Sequence, residues 1–239
     1  MRLYLMQLAT AASGAPVPGY LIQTDDGSNV LVDTGFPESM IGAYREPGGE
    51  GRPRVDEGDW VVNQLASIGV APGDIRYLVC THLDPDHAGS HDRFPEAALV
   101  IQRAQYEAAR RGTHPRYDQA RPSWDHPRLR YRLLDGDSEL LPGIELIETS
   151  GHVPGHQAVL VRLPQTGPVL LAIDAIPRAL GDFTPETRPI GPFDLDEAGV
   201  RASTRKLVDL ARREGVALIV HGHDAEQWRG LKKLPGFYA

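Results

Sequence analysis

A short segment between residues 81 and 89 carries four metal-ligand side chains directly after an apolar run. The apolar run is Tyr77-Leu78-Val79-Cys80, and Thr81-His82-Leu83-Asp84-Pro85-Asp86-His87-Ala88-Gly89 follows it. Such a run is typical of a buried strand, and a loop that leaves a strand end can turn imidazoles and carboxylates toward one point. The pattern indicates a metal site at a sheet edge. A polar surface loop is the plainer alternative.

Three later strand-like runs also end in residues that bind metals. His152 comes after the run 144–147, Asp174 after 169–173 and His223 after 217–220. A strand-end Asp that stands alone is more often a cap than a ligand. Several strand ends that deliver such residues together are what a metal site on one edge of stacked sheets requires. We therefore predict that these side chains meet.

Strands and helices alternate along the whole chain, which indicates an α/β or α+β protein with layered sheets. We predict a single domain over residues 1–239, with no linker and no short repeat. A hairpin is expected around residues 25–27, and a first strand from Met1 to Met6. Further strands are expected at 97–101 and 158–163, helices at 60–68, 106–111 and 195–214, and irregular segments at 112–127 and 177–192.

Composition and charge exclude several classes of partner. The formal net charge is −7, so nucleic acid is not expected as a partner. No apolar stretch is long enough to cross a bilayer, so no membrane association is expected. Cys80 is the only cysteine, and it is interpreted as a buried strand thiol. Because no intrachain disulfide can form, we expect a cytoplasmic protein.

The same motifs resemble a known family. The H-x-x-x-D-H-A-G core at 82–89, the G-H-x-P-G-H segment at 151–156, Asp174 and the closing Gly222-His223-Asp224 are similar to the metallo-β-lactamase superfamily. Segments 31–39, 100–109 and 222–227 resemble its N-acyl homoserine lactonase branch. The resemblance covers nearly the whole chain. It implies an α+β fold, the αββα metallo-β-lactamase sandwich of two β-sheets flanked by helices, and a homodimer.

The resemblance also implies a role for each candidate ligand. His82, the residue at 84 and His152 would bind a first metal ion, and Asp174 would bridge to a second. The second ion would be bound by Asp86, His87 and His223. Two divalent ions are therefore expected, with zinc as the first choice and manganese, iron or cobalt as alternatives.

Two positions depart from the family pattern. The family has a second His where this chain has Asp84, which either ligates through oxygen or leaves a position for water; we favour ligation. A Tyr that contacts the substrate carbonyl in the lactonases is replaced by Pro177. His221, His91 and Tyr117 are candidate substitutes for that phenol. His156 is expected to orient a ligand rather than to bind a metal itself.

These features predict a hydrolase that opens a lactone, an N-acyl homoserine lactone in the first instance, by means of a metal-bridging hydroxide. Asp86 would be the catalytic residue that passes a proton to the leaving alkoxide. Another ester or thioester hydrolase of the same fold is an alternative, whether glyoxalase II-like, an aryl esterase or a different lactonase. A non-hydrolytic di-metal protein is the second alternative.

Overall fold

Two β-sheets form the centre of the molecule in the computed structural model, which describes residues 1–239. The first sheet has six strands in the order β1-β2-β3-β4-β5-β6, and the second has five in the order β11-β10-β9-β8-β7. The first sheet contains β1 (Arg2–Thr10), β2 (Pro16–Gln23), β3 (Asn29–Val32), β4 (Ile75–Val79), β5 (Ala98–Gln102) and β6 (Arg130–Leu134). The second contains β7 (Ser138–Leu141), β8 (Ile144–Glu148), β9 (Gln157–Leu163), β10 (Gly167–Ile173) and β11 (Leu218–His221).

Helices cover the outer faces of both sheets. They are α1 (Val61–Ala66), α2 (Pro85–Ala88), α3 (Arg103–Arg110), α4 (Arg121–Trp124), α5 (Glu197–Arg213) and α6 (Ala225–Gly230). Leu207 and Leu210 of α5 pack on Leu160 and Leu170 of the second sheet. None of the helices is long and apolar enough to span a bilayer.

Side-chain alternation along β1 shows how the layers arise. Leu3 and Leu5 enter the core between the two sheets, whereas Tyr4 and Met6 enter the core under α1 and α3. A strand with both faces buried has a continuous apolar sequence, as the first residues of β1 do. The predicted αββα sandwich of two sheets flanked by helices is confirmed.

Some local predictions were wrong. The first strand continues past Met6 to Thr10, and α3 begins at Arg103 rather than at 106. The segment 112–127 is not wholly irregular, because it contains α4 and a single helical turn at Pro115–Tyr117. Strands β6 and β7 were missed. Each lies at the edge of its sheet and has only one buried residue, so neither produces a long apolar run.

Candidate metal centre

Loops at one edge of the two sheets bring the predicted ligands together in two groups. The first group is His82, His152 and Asp174, and the second is Asp86, His87 and His223. Within each group, one ligand atom per residue lies within 4.8 Å of the others. The two groups are adjacent, because the imidazole of His82 in the first lies with its ring centroid 4.0 Å from that of His87 in the second. The strand ends thus form one compact cluster of nitrogen and oxygen donors.

Asp174 lies between the two groups and faces both. Its Oδ1 is 3.2 Å from Nε2 of His223, and its Oδ2 is 3.5 Å from Nε2 of His152. The backbone approaches this position under constraint: Ile173 has φ +50°, which is unusual for a β-branched residue. A Cβ on Gly222 would lie 2.7 Å from the backbone oxygen of Ile173 and 2.9 Å from Oδ1 of Asp174, so only glycine fits beside the carboxylate. This geometry suits a carboxylate shared by two cations.

Each of the four imidazoles is oriented through its Nδ1 atom, which leaves Nε2 directed into the cluster. The Nδ1 partners are Thr81 Oγ1 for His82 at 3.1 Å, Asp33 Oδ2 for His87 at 2.8 Å, Asp194 Oδ1 for His152 at 2.9 Å and the Pro16 carbonyl for His223 at 2.8 Å. Oxygen partners of this kind hold a proton on Nδ1, so Nε2 is the nitrogen that each ring offers to a metal ion.

Buried donor atoms without a partner test whether the cluster fits metal ions. Nε2 of His82, Nε2 of His87 and Oδ1 of Asp174 are buried and have no hydrogen-bond partner in the protein. Unsatisfied buried polar atoms are rare and costly, unless another group satisfies them. Imidazole nitrogens and carboxylate oxygens are donors for zinc, manganese, iron and cobalt. The residues present fit divalent metal ions.

Comparisons with known proteins agree with this geometry. The family model of the metallo-beta-lactamase superfamily matches residues 13–223. An N-acyl homoserine lactonase of Bacillus sp. is 37% identical over 227 residues, which are 93% of this chain and 86% of the relative. The chain belongs to the metallo-beta-lactamase superfamily. Within it, the N-acyl homoserine lactonases are the relatives that the sequence analysis predicted.

Solved structures of lactonases of this superfamily extend the likeness to the whole chain. An N-acyl homoserine lactone hydrolase with the product N-hexanoyl-L-homoserine bound at its catalytic metal centre superimposes with a TM-score of 0.85 at 30% identity, over 99% of this chain and 98% of that one. A Bacillus thuringiensis lactonase with N-decanoyl-L-homoserine at the active site has a TM-score of 0.84 at 31% identity, over 99% and 98%.

Asp84, the position that departs from the superfamily pattern, forms an ion pair with Arg116. Its Oδ2 lies 3.4 Å from Nε2 of His82 and 3.4 Å from Nε2 of His152. The guanidinium of Arg116 donates two hydrogen bonds to the same carboxylate, one of them from Nε to Oδ1 at 2.6 Å. Sequence reasoning missed Arg116 because it lies in the segment 112–127, where no period or motif marks it.

The residues considered as substitutes for the missing phenol are all buried. His91 is fully buried, and both of its ring nitrogens lack a partner. His221 engages the carbonyl of Ile176 through Nδ1 at 3.1 Å, and Tyr117 is 1% exposed. His156 lies beside the ligands, with its ring centroid 5.1 Å from that of His82. Its Nδ1 is 2.8 Å from the hydroxyl of Thr149.

Asp33 and Asp194 were not assigned a role from sequence, although both orient ligands. Asp33 is completely buried and accepts hydrogen bonds from the backbone N–H and the hydroxyl of Thr81, at 2.8 and 2.7 Å, in addition to its contact with His87. Asp33 follows β3, so the strand-end signal that found the ligands applies to it as well. Asp194 ends an irregular segment, where sequence contains no such signal.

Charges within the cluster shift the pKa values of its members. Burial lowers the pKa of His87, but the nearby carboxylates of Asp86, Asp33 and Asp174 outweigh burial and raise it to about 10. Burial raises the pKa of Asp174, but the imidazoles around it outweigh burial and hold that pKa well below its usual range. Without metal ions, His87 and His223 are therefore favoured as imidazolium ions paired with carboxylates.

The stability of protein stripped of metal should consequently depend on pH. The pKa is raised to about 10 for His87 and to about 9 for His223 by nearby carboxylates, so their stabilisation is complete below about pH 6.5 and is lost as pH rises through 9–10. Burial lowers the pKa of His91 to about 4, so its contribution is lost as pH falls from 6.5. We expect the urea midpoint of the chelator-treated protein to peak near pH 6.5. A midpoint that rises steadily to pH 10 would contradict these pairs.

Proposed function

We propose that this protein is a metal-dependent hydrolase that opens N-acyl homoserine lactones. The single observation that carries the proposal is the position of Asp174, one oxygen of which faces each group of ligands. The likeness to lactonases over 93% of the chain in sequence and 99% in structure supports the substrate class. The donor set favours two divalent ions, with zinc as the first choice.

The ligand residues divide the chemistry between them. His82, Asp84, His152 and Asp174 would bind one ion, and Asp86, His87 and His223 the other, with Asp174 shared. Bound ions would supply a nucleophile from water at neutral pH and polarise the lactone carbonyl. The chain itself fixes the orientation of each ring through the oxygen partner on Nδ1, so that each Nε2 would be directed at the ions.

Asp86 is placed to move a proton. Its side chain is 25% exposed, whereas that of Asp174 is 10% exposed, and its Oδ2 lies 3.6 Å from Nε2 of His87 and 3.8 Å from Nε2 of His223. A carboxylate at the accessible rim can take a proton from attacking water and deliver it to the departing ring oxygen. The leaving alkoxide is a strong base, so protonation during bond cleavage accelerates ring opening.

The proposal has further parts. One hydrolase domain would comprise residues 1–239, since the family model and both ligand groups fall within it. A cytoplasmic location is proposed on the free, buried thiol of Cys80. The net charge of −7 argues against nucleic acid as a partner. A homodimer is proposed on the family resemblance alone.

Acid release from a panel of lactones, measured in a pH-stat, tests the proposal. We expect ring opening of N-acyl homoserine lactones by metal-loaded protein, and loss of that activity after chelation and its return when the metal is restored. The panel includes short and long acyl chains, an aryl ester and a thioester. Turnover of only the ester or the thioester would refute the lactone as substrate and support a metal-dependent hydrolase of another substrate class. No turnover with any metal would refute both the lactone substrate and the hydrolase activity.

A further inference from the structure

The guanidinium of Arg116 lies against the first ligand group. Its side chain is 9% exposed, and it donates to both oxygens of Asp84. Its Nη2 is also 3.0 Å from Nε2 of His152, and its Nη1 donates to the carbonyl of Phe193 at 2.6 Å. One buried cation thus contacts two of the side chains around the first ion position.

The atoms that Arg116 contacts are those that a metal ion would need. Ligand atoms around a tetrahedral zinc ion lie about 3.3 Å apart, from metal–ligand distances of about 2.0–2.1 Å. Oδ2 of Asp84 lies 3.4 Å from Nε2 of both His82 and His152, which matches that spacing. Nη2 of Arg116 donates to this same Oδ2, and it is within hydrogen-bond distance of Nε2 of His152.

The second ligand group has no such competitor. Asp86, His87 and His223 contact each other, Asp33, Asp174 and the carbonyl of Pro16, and no arginine or lysine is hydrogen-bonded or ion-paired to them. The two groups therefore differ in their local charge, although Asp174 belongs to both.

We propose that Arg116 competes with the metal ion at the first ligand group, so that the protein binds its two ions with unequal affinity. The inference rests on the proposed metal-dependent function. The second group binds its ion tightly. The first group binds an ion only when the guanidinium leaves Nε2 of His152 and its repulsion of the ion is relieved.

The chemistry of arginine makes this competition different from the ordinary competition with protons. A ligand imidazole loses a proton to make room for a metal, whereas a guanidinium remains charged at any accessible pH. The whole side chain must move instead. The hydrogen bond from Nη1 to the carbonyl of Phe193 holds it in place, so the segment that contains Phe193 is coupled to occupation of the first group.

Metal titration of wild type and of Arg116→Met tests the inference without reference to activity. Chelator-treated protein is dialysed against increasing Co²⁺, bound metal is counted by mass spectrometry, and the cobalt absorption bands report the ligand set. We expect wild type to bind one ion tightly and a second at least about tenfold more weakly. Arg116→Met should tighten binding of the second ion at least about tenfold and leave the affinity for the first unchanged.

Two further variants complete the design. Arg111→Met makes the same change five residues away at a side chain that is 71% exposed and paired with Glu107, and it should bind both ions as wild type does. Asp84→His removes the carboxylate that holds Arg116 and supplies a neutral ligand, so it should also tighten the second ion. It covers the case in which Arg116→Met does not fold.

The outcomes are distinguishable. Equal affinity for two ions in wild type, or a second ion that weakens in Arg116→Met, would overturn the inference and leave the proposed function standing. The latter result would mean that Arg116 holds Asp84 in place as a ligand. Binding of no ion by wild type or any variant would overturn the proposed function together with the inference.

Discussion

Replacement of Asp86 with asparagine should lower kcat for lactone opening by about 10²- to 10⁴-fold, the range that general acid–base catalysis contributes. The amide retains the shape of the side chain and one oxygen, but it cannot carry the proton to the leaving oxygen. The more deeply buried Asp174 is surrounded by imidazoles and is not placed to replace it.

Because Asp86 is also a proposed ligand, the experiment must separate proton transfer from metal loss. Homoserine thiolactones leave as thiols, whose pKa of about 8.5 lies far below that of an alcohol, so they need little proton assistance. If Asp86 acts as a general acid, Asp86→Asn should therefore lower kcat less for the thiolactone than for the lactone. Bound metal is counted in each preparation, and kcat is compared at equal metal content.

Asp92→Asn is the matched control, because Asp92 lies six residues away and pairs with Arg93 rather than with the cluster. Asp92→Asn should leave kcat unchanged for both the lactone and the thiolactone. Equal losses on lactone and thiolactone in Asp86→Asn would mean that Asp86 acts through the metal alone. Unchanged kcat on the lactone would exclude any role for it in the reaction.

Strand ends explain why most of the site was predictable. His82, Asp174 and His223 each follow an apolar run, and such runs are the clearest pattern in the sequence. The ends of neighbouring strands meet at one edge, so residues far apart in the chain converge there. Asp33 obeys the same rule at the end of β3, and its orienting role could have been inferred from position alone.

The residues that reach the cluster from irregular segments could not be predicted from the sequence. Arg116 and Asp194 reach the cluster from loops whose paths depend on packing against the finished sandwich. No periodicity fixes where such a loop runs, and a single Arg or Asp within it resembles any exposed charge. The pairing of Asp84 with Arg116 could therefore be seen only in three dimensions, even though the departure at Asp84 was visible in the sequence.

Asp33→Asn should weaken metal binding at the second ligand group by about 10- to 100-fold, the usual cost of removing the partner of a ligand imidazole. The carboxylate accepts from Nδ1 of His87 at 2.8 Å, whereas an amide nitrogen at that position can only donate. Donation to Nδ1 moves the proton of His87 to Nε2, the atom that faces Asp86 and Asp174. The ligand electron pair is then lost without any change in shape.

The substitution should spare the fold. Asp33 has φ +58°, a conformation that asparagine tolerates better than most residues, and the amide oxygen can still accept from the backbone N–H of Thr81. The measurement is bound metal per chain together with the ¹⁵N chemical shifts of the imidazole nitrogens, which report the tautomer directly.

Asp194→Asn supplies the opposing control, because Asp194 holds Nδ1 of His152 in the first group at 2.9 Å. Each variant should weaken the ion in its own group more than the ion in the other, since each alters one imidazole. Equal weakening of both ions by Asp33→Asn would point to general loosening of the cluster. Unaltered affinity with a reversed tautomer would show that His87 does not bind metal through Nε2.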